Sequence, residues 1–296
     1  MVRVIVAISI ITPAYNASAT IDRTIQSVAG VFGDVDLRHV EVIVINDGST
    51  DDTWKKVEGW RDRGLPWQFI AIDNESNLGA GPSRNRGLER ATGEWVMFLD
   101  ADDELVLNPI PHLSANSSHS AIFFESVSYV GKMKVVLAPR SIGCETHLRQ
   151  FSISNPVAIC SLIVSRRCIT QPFPDSSYLE DWEFWLRNRE VFAGVVIVRE
   201  VLAKINARPD SSTTNVKEMA SRRIAVADTY LSAAGDQVTR NNFRVQREIG
   251  ELMLKSRRFA NIFRCPVSFA VYCTLLFHQL SRWVGFSWKR TAKPML

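Results

Sequence analysis

Short apolar runs alternate with amphipathic stretches through the first hundred residues. Val4–Thr12, Glu41–Asn46, Gln68–Asp73 and Glu94–Leu99 are apolar over strand length. Between them, Ser18–Val28, Thr50–Arg63 and Gly81–Ala91 carry helical spacing. Ser18 and Ser49 or Thr50 stand where N-caps belong, and Pro82 sits in a first turn, where its missing N–H costs nothing. Strands apolar on both faces, separated by helices, predict a parallel sheet covered on both sides.

Beyond residue 100 the rhythm changes. Ala121–Val130 and Lys132–Leu137 read as a hairpin around Gly131, and Ile159–Ser165 and Val195–Asn206 as further strands. Trp182–Val191 reads as a helix, and from about Lys217 the pattern is helical almost to the end. The expected fold class is α/β: a mixed, mostly parallel sheet flanked by helices, plus a helical C-terminal appendage. The expected division is 1–215 and 216–296.

Composition adds two points. Hydrophobic residues make up 46% of the 296 and charged residues 22%, which suits a globular chain with a sizeable core. The net charge of +4 is uneven: after Glu251 there is no acidic residue and there are eight basic ones, leaving 1–251 at −4. Five cysteines without a Cys-x-x-Cys pair argue against a disulfide framework or zinc site and for reduced, cytosolic thiols. The apolar N-terminus has no small-residue cleavage site and is read as a buried strand rather than a signal peptide.

The candidate chemistry gathers where the strands end. The first strand runs into Thr12, Pro13, Tyr15 and Asn16, the second into Asp47 and a GSTDD turn, the third into Asn77, Gly79 and Arg84, the fourth into Asp100, Ala101, Asp102 and Asp103. Open parallel sheets bind ligands at this edge. Asp100-Ala-Asp102 alone says little, since Asp34-Val-Asp36 has the same spacing in a predicted loop. A strong buried strand feeds only the former, and its carboxylates suit Mg²⁺ or Mn²⁺ on a diphosphate. Asp47 reads either as an acceptor for a nucleobase imide or as a turn residue. Asn77 to Arg84 offers glycine backbone at a helix start and the basic residues Arg84 and Arg86, suited to phosphate. It is neither a dinucleotide fingerprint nor a P-loop. In LEDWEFWLR (179–187), a first-turn carboxylate could serve as a general base and the tryptophan faces could meet a sugar ring. The alternative is an acidic helix start with Trp182 and Trp185 in the core.

SIITPAYN (9–16), VINDGSTDDT (44–53), NLGAGPSRNRGLERATGEWVMFLDADD (77–103) and LEDWEFWLR (179–187), in this order, resemble the family 2 glycosyltransferases of GT-A fold. The resemblance implies that 1–215 is a GT-A catalytic domain. It implies a nucleoside pocket at Thr12, Pro13, Tyr15 and Asp47, with Asn77, Gly79, Arg84 and Ala101 also facing the donor. Asp100 then lies near the ribose or metal, Asp102 ligates Mn²⁺ or Mg²⁺, and Asp181 is the base of an inverting transfer from a nucleotide-diphosphate sugar, UDP-sugar favoured, to a saccharide or glycolipid hydroxyl. Where many relatives carry His-Pro, this chain has Arg208-Pro209, and arginine could hold the diphosphate directly.

Residues 263–288 carry an amphipathic pattern too short in its apolar run to span a bilayer; it suits either the inner membrane surface or packing against the catalytic domain or a second subunit, and the expected location is cytoplasmic, with a peripheral place at the membrane open to it. Nothing resembles a base-reading module, and nucleic acid is not an expected partner. The competing reading is a non-catalytic nucleotide-sugar or membrane-docking module on the same fold. A sugar-nucleotidyl transferase should show a glycine-rich N-terminal loop with a lysine, which is absent.

Overall fold

The computed structural model describes residues 7–32, 39–63, 65, 67–130, 133–138, 142–176, 178–206 and 215–255. Nine strands form one sheet: β1 (Ile8–Ala14), β2 (Val40–Asn46), β3 (Gln68–Asp73), β4 (Trp95–Phe98), β5 (Glu104–Leu105), β6 (Ala121–Val130), β7 (Met133–Leu137), β8 (Leu162–Ser165) and β9 (Val195–Ile205). Their order is β3-β2-β1-β4-β8-β6-β9-β5, with β7 hairpinned onto β6. β1 to β4 pair in parallel; β8 runs antiparallel to both β4 and β6. The helices are α1 (Ile21–Phe32), α2 (Thr53–Arg61), α3 (Ala80–Arg90), α4 (Ile110–Ala115), α5 (His147–Phe151), α6 (Glu180–Arg187), α7 (Val216–Ala233) and α8 (Gln237–Lys255).

Strand alternation sorts the core into two layers. Ile8, Ile10, Val42, Val44, Trp95 and Met97 face α1 and α2, meeting Ile25, Phe32, Val57 and Trp60. Their neighbours Ile11, Ile43, Ile45, Val96 and Phe98 face the other way, onto Trp182 and Phe184 of α6, Val226 and Ala227 of α7 and Phe243 of α8. Helices α7 and α8 thus pack into the same core as the sheet. Among the described residues no helix is long and apolar enough to cross a membrane. The predicted stretch 263–288 lies outside the described residues.

Several boundaries differ from the sequence reading for identifiable reasons. Helix α1 begins at Ile21 rather than Ser18, because the Ser18 N–H is drawn to Asp51 Oδ2 (3.1 Å) and a turn intervenes. Ser49 and Thr50 do not cap α2. They bind Asn16 instead: its N–H donates to Ser49 Oγ (3.0 Å), and the Thr50 N–H donates to its Oδ1 (2.8 Å). The N-cap position is Asp52, whose side chain makes no cap bond, and the preceding Asp51 accepts from the Thr53 N–H at 3.0 Å. The strand read over 159–165 starts with a 3-10 turn at Ile159–Ser161, and the helix read over 182–191 is α6 followed by a 3-10 turn at Arg189–Phe192.

Candidate functional site

The C-terminal ends of β1, β2, β3 and β4 share one edge. The last β1–β4 pair is Ile11–Phe98, whereas β1 and β2 stay paired to Ala14–Asn46. The sheet therefore opens between β1 and β4, where the strand order reverses direction, as ligand crevices do in such sheets. Thr12 and Pro13 are buried on one lip, and Tyr15 projects from it, 45% exposed. Asn16 holds a left-handed φ of 46°, unusual for a residue with a Cβ.

Asp47 is the hinge of the β2 side. Its carboxylate, 2% exposed, accepts from Asn74 Nδ2 (2.8 Å) and from the N–H groups of Leu78 (2.9 Å) and Gly79 (2.8 Å). It therefore folds the 77–79 loop back over the strand end and leads the chain into α3. Gly48 lets that loop approach: its φ is +65°, and a Cβ there would lie 2.4 Å from Ser76 C. Asn77 is exposed, and Gly79, at φ 98°, is the N-cap of α3.

Arg84, in the second turn of α3, connects the two acidic groups. Its guanidinium donates from Nη2 to Asp100 Oδ1 at 2.7 Å and from Nη1 to Glu180 Oε1 at 2.9 Å. The arginine side chain is 4% exposed, against 36% for Asp100 and 14% for Glu180. Burial opposes its charge, and the two carboxylates more than restore it, raising its proton affinity further. Gly81 permits the approach, since a Cβ there would come within 2.9 Å of Pro174 O and 3.4 Å of the Glu180 side chain.

Just past β4, Asp100, Asp102 and Asp103 each bring a carboxylate oxygen within 4.8 Å of the others, with Ala101 buried between them. Asp103 is 4% exposed. Burial, then the charges of Asp100 and Asp102, push its pKa up to about 8. Asn206, at the end of β9, clamps this turn. Its N–H donates to Asp103 Oδ1 (3.0 Å), and its Nδ2 donates to Asp102 O (2.8 Å) and Glu104 Oε1 (3.0 Å). Arg23 of α1 adds a bond from Nη2 to Asp102 O at 3.1 Å. The donor set fits a hard divalent cation: all oxygen, convergent, and carrying more negative charge than its surroundings offset. Arg208 lies outside the described residues.

Helix α6 starts abruptly. Leu179 sits at a left-handed φ of 56°, a costly conformation for a side chain with a Cβ, and turns the chain so that Glu180 and Asp181 open the first turn. Asp181 is half-buried. Its Oδ1 accepts from the Trp182 N–H (2.7 Å) and its Oδ2 from Asn155 Nδ2 (2.8 Å). Burial, then the neighbouring Glu180 charge, raise its pKa to about 7, with Arg84 pulling the other way. The tryptophans of this helix do not face a sugar: Trp182 is 1% and Trp185 0% exposed, both inside the second core layer. Trp182 spends its indole N–H on Phe151 O at 2.9 Å.

The structure thus brings Arg84, Asp100 and Asp181 together through Glu180, with Asp102 beside Asp100. Three participants were not assigned from sequence: Asp103, Glu180 and Asn155. The first two lay next to residues that were singled out, and a third acid in a strand-end run was the available signal. Asn155 stands in a stretch, SISNP, with no motif to mark it.

A sheet edge open between β1 and β4, an acidic cluster past β4 and a half-buried acid pair opening α6 match what the resemblance to glycosyltransferases of GT-A fold implies, and comparison with known proteins agrees. The model of "Glycosyl transferase family 2" matches residues 9–115. A UDP-Glc:alpha-D-GlcNAc-diphosphoundecaprenol beta-1,3-glucosyltransferase of Escherichia coli, WfgD, is 31% identical over 188 residues, 60% of this chain and 68% of that protein. A second E. coli enzyme with that activity, WfaP, is 29% identical over the same shares. Among solved structures, S. aureus TarS 1–349 in complex with UDP-GlcNAc superposes with a TM-score of 0.62 at 18% identity, covering 84% of this chain and 70% of that one. The mannosyltransferase PcManGT from Pyrobaculum calidifontis, in complex with GDP-Man and Mn²⁺, gives 0.60 at 13% identity, over 95% and 81%. The chain belongs to the family 2 glycosyltransferases.

Proposed function

We propose that this enzyme moves a sugar from a UDP-sugar to a hydroxyl of a lipid-linked saccharide, inverting the anomeric configuration, with Asp181 as general base. The observation that carries the reading is the buried bridge Asp100–Arg84–Glu180, at 2.7 and 2.9 Å, which ties the acidic turn after β4 to the helix that opens with Asp181. The UDP and lipid-diphosphate parts rest on the names of the two E. coli relatives and on the UDP-GlcNAc bound in TarS.

In this reading Thr12, Pro13, Tyr15 and Asp47, with Asn77 and Gly79, form the nucleoside side of the crevice. Asp100 and Asp102, joined by Asp103, would hold Mn²⁺ or Mg²⁺, which when bound neutralises diphosphate charge. Arg84 contributes a fixed cation to the same region, and Arg208 is proposed as a diphosphate clamp. The ionised Asp181 accepts the acceptor's O–H proton as that oxygen bonds to the anomeric carbon. The carbon–oxygen bond to the diphosphate breaks with its electron pair, and UDP leaves on the opposite face. An α-linked donor gives a β-linked product. A base of pKa about 7 is half-ionised at neutral pH and has more driving force for proton removal than an ordinary carboxylate. We further assign 1–215 as the catalytic domain and 216–296 as its helical extension. Residues 263–288 would rest on the inner membrane surface, where a lipid-linked acceptor is presented.

Thermal shift with UDP, GDP, dTDP and NAD, each with and without Mn²⁺, tests the donor site. Ligand at a hundredfold its Kd adds about 2.7 kcal/mol. UDP should stabilise the protein in a Mn²⁺-dependent way, and Asp102→Asn should remove that dependence. Asp181→Asn should keep the UDP shift and lose transfer. A protein that no nucleoside diphosphate stabilises does not carry this function.

A further inference from the structure

Asp181 is also held by a residue outside the cluster of Arg84, Asp100 and Glu180. Asn155 Nδ2 donates to its Oδ2 at 2.8 Å, and Asn155 is itself oriented, because its Oδ1 accepts the Val157 N–H at 3.2 Å. With the amide oxygen so engaged, the donor end must face the carboxylate. The loop carrying Asn155 is pinned at three successive residues. Trp182 Nε1 donates to Phe151 O (2.9 Å), Asn242 Nδ2 of α8 to Ser152 Oγ (3.0 Å), and Gln246 Nε2 of α8 to Ile153 O (2.6 Å).

We propose that Asn155 is a positioning residue for the base, orienting the Asp181 carboxylate and favouring its ionised form, and that α8 acts on catalysis by fixing the loop that carries Asn155. The inference rests on Asp181 being the base. Among the described residues, the charged groups that act on Asp181 most are Glu180 beside it on α6, Arg84 from α3 and Asp100 from the end of β4. Of the side chains, Asn155 is a neutral donor bonded directly to the carboxylate, so its removal changes the hydrogen bond without changing the local charge. A hydrogen bond to the charged form of an acid lowers its pKa; losing it raises the pKa.

The test follows the Asp181 carboxyl carbon by ¹³C NMR across pH, in full-length protein with Mg²⁺, the resonance being identified by its loss in Asp181→Asn. In Asn155→Ala the midpoint should rise by about one pH unit. Asn155→Asp, which adds a like charge, should raise it further and serves if the alanine variant does not fold. Glu180→Gln should lower it. The acid limb of the transfer rate should move with each midpoint, while the UDP-induced thermal shift stays at its wild-type size. A midpoint unmoved in Asn155→Ala or in a folded Asn155→Asp overturns the role of Asn155. If UDP fails to stabilise even the wild type, the donor-site reading falls instead.

Discussion

Replacing Arg84 with methionine keeps most of the volume and removes the one described cation that donates to both Asp100 and Glu180. The guanidinium is 4% exposed, and its loss strands the more buried of the two carboxylates, Glu180, while Asp100 keeps access to water. Breaking a buried pair costs about 3–5 kcal/mol, mainly because the remaining charge is left unpaired. Glu180, 14% exposed, falls in that class. Asp100 is 36% exposed and partly screened by solvent, and contributes little beyond it. A total near 3 kcal/mol corresponds to a melting point roughly 5 °C lower for a chain of 296 residues. Arg84→Lys should lose less, since a single ammonium retains the charge but cannot fork between two carboxylates. Adding Glu180→Gln to Arg84→Met removes the stranded charge and should return about 1–2 kcal/mol. The assay is thermal melting near neutral pH with chelator present. A methionine variant melting within about 2 °C of wild type, or a double variant no more stable than the single, would falsify the account of the bridge.

Three further outcomes follow from the same geometry. Transfer should rise with pH through about 7, where Asp181 ionises, and level off above it; in Glu180→Gln, which removes the like charge, the limb should sit at lower pH. Rate measurements at saturating donor decide this. Added Mg²⁺ or Mn²⁺ should raise the melting point more at pH 8.5 than at pH 6. Asp103, with its pKa near 8, gives up a proton on binding a cation, so affinity grows as pH passes that value; equal shifts at both pH values would exclude Asp103 from the site. Gly48→Ala should cost at least about 1–3 kcal/mol, because φ is +65° and the new Cβ would lie 2.4 Å from the Ser76 carbonyl carbon. Urea denaturation measures the cost.

The parallel half of the sheet was legible from sequence because each strand is apolar on both faces and bounded by polar turns. Gln68–Asp73 emerged with the limits read from its pattern, and the β6–β7 hairpin followed from strand patterning around Gly131. Two-residue β5 and the short helices α4 and α5 were missed, because segments of two to six residues carry too little periodicity to register. The N-caps were misjudged where side chains that could cap locally were drawn instead to a distant turn, as Ser49 and Thr50 are to Asn16. At the site, strand-end position marked Asp47 and Asp100. No sequence rule could show that Arg84 reaches Glu180, because that contact joins residues 96 apart in the chain. Trp182 and Trp185 show the reverse case: helical spacing allowed either a ligand-facing or a core role, and the position of the second core layer decided it.

The change of strand direction at β4–β8 has a mechanical meaning for the site. Three residue pairs, 95–165, 96–164 and 97–163, carry that junction, and the family match ends at residue 115, before β6 begins. The candidate site residues divide across this seam: Asp47, Arg84, Asp100 and Asp102 lie before it in the chain, and Asn155 and Asp181 after it. Arg84 joins the two sides, donating to Asp100 at 2.7 Å before the seam and to Glu180 at 2.9 Å after it. Any change that slides one side of the seam past the other therefore alters the spacing between the acidic turn after β4 and the helix that opens with Asp181.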